Sequence, residues 1–107
     1  MQNTWNIHIA DTFFKRLFGL MWKKNISITD VYIFPNCYRV HTFFMRMPID
    51  ILFLNKNNEI ICMIEHVKPW RIVPKIKDAI TIVEVKSGFI QEYNLQNLTC
   101  INWAKKY

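Results

Sequence analysis

Residues 41–55 read HTFFMRMPIDILFLN, a run apolar enough for a core strand that nonetheless carries His41, Arg46 and Asp50. Ionisable groups in such a segment cost free energy unless each is paired or hydrogen-bonded. Pro48 stands between Arg46 and Asp50 and has no N–H to give a strand ladder, so regular pairing must break there. Any fold of this chain has to satisfy three polar side chains beside an interrupted strand. A ligand site does that, and so does a clamp that ties down a barrel corner.

The pattern on either side is mostly extended. Thr4 to Ile9 alternates, with Trp5, Ile7 and Ile9 on one face of a short strand. Asp11 or Thr12 can cap a helix to about Met21, with Phe13, Leu17 and Leu20 on one side and Arg16 along it. Strands are expected over Val31–Phe34, Val40–Met45 and Ile49–Leu54, the last two flanking Pro48. Asn55-Lys56-Asn57-Asn58 has hairpin-turn chemistry, and Glu59–Glu65 is the return strand. Residues 67–78 form a structured loop, Ala79–Val85 a β-branched strand, Ser87 the cap of a short helix to about Asn94, and Leu98–Trp103 a last strand. About seven strands and two short helices predict an α+β, mainly β fold: a small antiparallel β-barrel or sandwich. At 107 residues it is a single domain, 1–107.

Charge and cysteine usage narrow the partners. The net charge is +6, but the lysines are spread out, with no basic stripe beyond Lys23-Lys24 and Lys105-Lys106. That dispersion favours a solvated basic surface over a nucleic-acid partner. No apolar stretch reaches the roughly 20 residues of a membrane helix, and the N-terminus lacks the pattern of a secretory signal. Three cysteines fit a reducing compartment, so the expectation is a cytoplasmic protein, a monomer or weak dimer, without a cofactor. Arginine is scarce beside lysine, which picks out Arg16, Arg39, Arg46 and Arg71 as positions suited to the planar five-donor fork.

Three constellations carry chemistry. His41, Arg46, Asp50 and Arg71, together with Arg16 and Trp70, suit a small anionic ligand or a partner's acidic group, gripped by guanidinium forks. The structural alternative is an Arg46–Asp50 bridge across a bulge at Pro48, since the two share strand parity. Cys37 and His41, echoed by Cys62 and His66, have the spacing of a zinc site or, for the first pair, of a thiol nucleophile with its base. Cysteine is usually a buried apolar residue, and no metal is assigned. Phe43, Phe44, Phe53 and Trp70 offer a stacking surface for a ring-bearing ligand, although aromatic residues at this density usually form core.

RLFGLM (Arg16–Met21), YIFPNCYRVHTFFMRMPIDILFLN (Tyr32–Asn55), VKPWRIVP (Val67–Pro74) and IVEVKSG (Ile82–Gly88) together resemble the family called domain of unknown function 192, also UPF0127. The likeness spans roughly residues 10–103. Its most specific part looks like the subgroup with Cys37, Val40-His41-Thr42-Phe43, Met45-Arg46, Pro48-Ile49-Asp50 and Pro69-Trp70-Arg71 on the motif. Cys62 and His66 fall outside it. Asn97-Leu98 stands where the family usually has a Gly-Asp turn. The resemblance implies a small, mainly β, barrel-like or sandwich domain with short helices. It implies little about function, since the family has no established activity. Two arginine forks and a histidine without a clear nucleophile–base pair suit a non-catalytic binding role, with a Cys37–His41 enzyme or an interaction module in a larger assembly as the alternatives.

Overall fold

The computed structural model describes residues 5–10, 20, 23–37 and 40–95. In chain order the elements are β1 (Asn6–Ile9), β2 (Asp30–Pro35), β3 (Val40–His41), β4 (Ile49–Leu54), β5 (Ile60–Val67), β6 (Ile72–Val73), β7 (Thr81–Lys86) and the single-turn helix α1 (Phe89–Glu92). The expected helix before Met21 and the expected strand Leu98–Trp103 lie outside the described residues.

Five strands make one mixed sheet in the order β1-β2-β7-β4-β5, and β3 pairs with β6 in a separate two-stranded ribbon. The central strand β7 reads TIVEVK, β-branched at four of its six positions, and is buried from Thr81 through Val85. Such residues pack well on a pleated surface with neighbours on both sides. β2–β7, β7–β4 and β4–β5 are antiparallel, whereas β1 runs parallel to β2. That corrects the all-antiparallel expectation. Its physical reason is the connection: residues 10–29 separate the two strands, long enough for the crossover that a parallel pair needs. Among the described residues β1 and β5 are the two edges, and the five strands form an open sheet rather than a closed barrel.

Both faces are covered. On one, Tyr32, Phe34, Ile49, Ile51, Phe53, Cys62, Ile64 and Ile82 form the main core with Met45, Met47, Val73 and Ile76 from the ribbon and its flanks. On the other, Leu52, Met63, Val83 and Val85 pack against Phe89 and Ile90 of α1. Asn55 closes the β4–β5 hairpin: its Oδ1 accepts the N–H groups of Asn57 and Glu59, and Asn58 takes φ 60°. Two expected boundaries shift. Only Val40–His41 of the expected Val40–Met45 strand is extended, and the 67–78 loop contributes the partner strand β6.

Candidate functional site

The polar side chains of the 41–55 run divide into two groups. Asp50 belongs to the architecture. It is 1% exposed, and it sits opposite a bulge in β5, where Ile49 pairs with Val67 but Ile51 with Ile64. The bulge frees the His66 N–H, which donates to Asp50 Oδ1 at 2.8 Å. Asp50 Oδ2 accepts the N–H groups of Gly88 at 3.1 Å and Ile90 at 3.0 Å, at the start of α1. Burial pushes the carboxyl above its usual range, and the three backbone donors pull back against that.

The expected Ser87 cap is therefore supplied from another strand. Gly88 is the N-cap, with φ 100° and no side-chain cap bond, and the Ser87 hydroxyl meets His66 Nδ1 at 2.6 Å instead. An Arg46–Asp50 bridge does not form. The parity argument needed a regular strand across Pro48, but β4 begins at Ile49, so Arg46 lies outside it, exposed and without an ion pair among the described residues.

Thr42 organises the second group. It is fully buried. Its hydroxyl donates to the Lys68 carbonyl at 2.7 Å and accepts the Arg71 N–H at 2.8 Å. Its own N–H donates to the Arg71 carbonyl at 2.8 Å, while its carbonyl accepts from Trp70 at 2.9 Å and Met45 at 3.2 Å. With the pairing His41↔Ile72, these bonds fasten the His-Thr-Phe-Phe turn to the Pro-Trp-Arg turn, two segments nearly 30 residues apart in the chain.

What that joint presents is a row of rings. His41 stacks on Phe43 at 4.8 Å, Phe43 lies 5.7 Å from Trp70, and Trp70 lies 4.7 Å from Phe44 at an interplanar angle of 59°. Trp70 is 55% exposed and Phe44 38%. Both take left-handed backbone, φ 63° and 62°, which bulky residues rarely adopt. Of the four aromatics weighed as a stacking surface, Phe53 is core and the other three are on this shelf. Exposed Arg71 lies beside it, its Nη1 at 3.4 Å from the Pro69 and Trp70 carbonyls.

The remaining candidates disperse. Arg16 lies outside the described residues. Cys37 is half-buried against the main core, its N–H donating to the Ile80 carbonyl. His41 Nδ1 accepts the Phe43 N–H at 3.2 Å, and among the described residues no hydrogen bond joins it to Cys37. Cys62 is buried in the main core while His66 is exposed, and no cluster of three or more metal-ligating side chains occurs among the described residues.

Sequence reading passed over Glu84. It is 4% exposed in β7, on the main-core face, with Tyr32 and Ile51 as its cross-strand neighbours. Among the described residues nothing hydrogen-bonds its carboxyl, and burial raises its pKa from 4.5 to about 8. The signal was visible as a lone acid in a strand otherwise apolar or β-branched on both faces.

A small, mainly β domain with an open mixed sheet and a ribbon-borne aromatic shelf is the class that these features define. The chain belongs to the DUF192 family, described as "Uncharacterized ACR", whose model matches residues 1–103. It is 36% identical over 104 residues to a UPF0127 protein of Thermococcus sibiricus, covering 94% of this chain and 67% of that one. A UPF0127 protein of Pyrococcus furiosus is 34% identical over 103 residues, covering 92% and 87%. In fold it is similar to the crystal structure of a protein of unknown function from Novosphingobium aromaticivorans, with TM-score 0.77 and 16% identity over 86% of this chain and 70% of that one. A putative transcription regulator from Sinorhizobium meliloti gives TM-score 0.73 and 17% identity, covering 82% and 73%. These two likenesses concern the fold alone. No described helix is long and apolar enough to cross a membrane.

Proposed function

We propose that the protein is a non-catalytic binding domain whose ring shelf, Phe43, Phe44 and Trp70 flanked by His41 and Arg71, seats a small anionic ligand or a partner's acidic group. Arg46, exposed two residues beyond Phe44, adds a second guanidinium. The observation that carries this reading is the exposed pair Phe44 and Trp70, both in left-handed backbone and in ring contact. Two large apolar rings set partly outside the core on strained turns supply a face for a planar group with donors at its rim. Asp50 supports the site only through the scaffold.

Phenyl phosphate, which joins a ring to an anion, is a suitable probe. Titration into ¹⁵N-labelled protein is expected to shift the Trp70 indole N–H and the amides of His41–Phe44 and Lys68–Ile72, with saturation. Trp70→Ala or Arg71→Lys should weaken the response several-fold, since lysine cannot reproduce the fork. Shifts scattered over unrelated lysines, or unchanged binding in Trp70→Ala, would sink the proposal.

A further inference from the structure

We infer that the shelf binds single-stranded nucleic acid, taking successive bases on its rings and the connecting phosphates on its cations. This deepens the proposed binding role and rests on it. The lysines and arginines look dispersed along the sequence, but the fold gathers a subset. Between residues 37 and 49, and again between 66 and 77, every Lys/Arg/Asp/Glu position is cationic, Arg46, Lys68 and Arg71 among them. These three are exposed, and each lies within two residues of Phe44 or Trp70, which limits the Cα separation to about 7 Å. The Thr42 joint brings both segments to one place. Asp50, the first carboxylate beyond the first segment, is buried and spent on three backbone N–H groups, so it does not oppose an anion at the shelf.

Ring and cation alternate: Phe44 then Arg46 on one turn, Lys68, Trp70 and Arg71 on the other. His41, Phe43, Trp70 and Phe44 form a row with centroids 4.7 to 5.7 Å apart. A free nucleotide brings one ring and cannot cover that row. An acidic peptide brings carboxylates without a planar group beside each. A single strand brings a base and a phosphate at every step, which matches exposed rings at Phe44 and Trp70 with a cation within two residues of each. Stacking on aromatic faces with a charged rim is also the general physics of sequence-tolerant single-strand binding.

The test is fluorescence anisotropy with fluorescein-labelled (dT)8 and (rU)8 at several salt concentrations. Saturable binding is expected, with log K falling against log salt at a slope of about −2, as roughly three phosphate contacts would give on a single strand. Trp70→Ala should weaken binding roughly ten-fold or more with little change in that slope. Arg71→Ala should weaken binding and reduce the slope by about 0.7. Thermal melts establish that both variants fold. Absence of binding at low salt, unchanged affinity in Trp70→Ala, or competition by UMP or an Asp/Trp-rich peptide at the oligonucleotide's own concentration would each overturn the inference. Phenyl phosphate separates the two levels: oligonucleotides failing while it still shifts Trp70 removes the strand and keeps the shelf, and failure of both removes both.

Discussion

Replacing Glu84 by Gln tests the main core at its most unusual point. The carboxyl is buried without a partner among the described residues, and its pKa is raised from 4.5 to about 8. A raised folded-state pKa means that the native protein holds a proton which the unfolded chain releases. Stability from this group is therefore complete below about pH 4.5, declines as pH rises, and is fully lost above about pH 8. At about 1.36 kcal/mol per pH unit, the difference between pH 5 and pH 8 is about 3 kcal/mol. Glu84→Gln keeps the shape and cannot ionise, so all other titrating groups cancel when the two proteins are compared. Urea unfolding at pH 5, 6, 7 and 8 is the assay. The wild type should lose about 3 kcal/mol more than the variant across that range. Parallel stability curves would show that the carboxyl is hydrated or paired in solution, and the dry-core argument would then be wrong.

Asp50→Ala should destabilise by about 3 kcal/mol, because it removes at once the acceptor of the buried Ile90 N–H and of the part-buried N–H groups of His66 and Gly88. Chemical denaturation measures it, and Asp50→Asn should recover only part, since its amide nitrogen turns a donor toward donors. Thr42→Val keeps the volume but removes the hydroxyl between Lys68 and Arg71, for a loss of about 2 kcal/mol. Hydrogen exchange at Trp70 and Arg71 should rise by a larger factor than in the main core. Gly88→Ala meets no atom within 4 Å, so its expected cost of about 1 kcal/mol is backbone strain at φ 100° alone, read from the thermal midpoint.

How much of this was readable in the chain depends on whether the information was local. The Asn55–Asn58 hairpin, β4 and β7 follow from turn chemistry and β-branching, and they stand close to where the pattern put them. The parallel pairing of β1 with β2 is a decision between distant segments that no local period encodes. The site shows the same division. That the His-Thr-Phe-Phe and Pro-Trp-Arg segments belong together could be suspected from their polar and aromatic content. That Thr42 joins them could not, because a threonine between histidine and phenylalanine looks like an ordinary strand residue until its burial is known. Asp50 was recognised as an anomaly but given the wrong partner. Its acceptors face three N–H groups made available by a bulge 16 residues away and a helix about 40 residues away, neither of which a parity rule can see.

The backbone supplies the argument for treating the shelf as more than decoration. Among the described residues seven other than glycine have positive φ, and four are Asn or Asp, the types that tolerate it. Of the other three, His66 is accounted for by the bulge whose N–H Asp50 accepts. Phe44 and Trp70 remain, at a cost of about 1 to 3 kcal/mol each. Both rings are partly buried as well as exposed, Phe44 38% and Trp70 55% exposed, and the Thr42 hydrogen bonds hold the turns on which they stand. An Asn or Gly at either position would take that backbone with less strain. The chain therefore holds these turns in place and puts large rings on them where smaller residues would carry less backbone strain. The ligand proposed for the shelf, which needs the rings, would account for that choice.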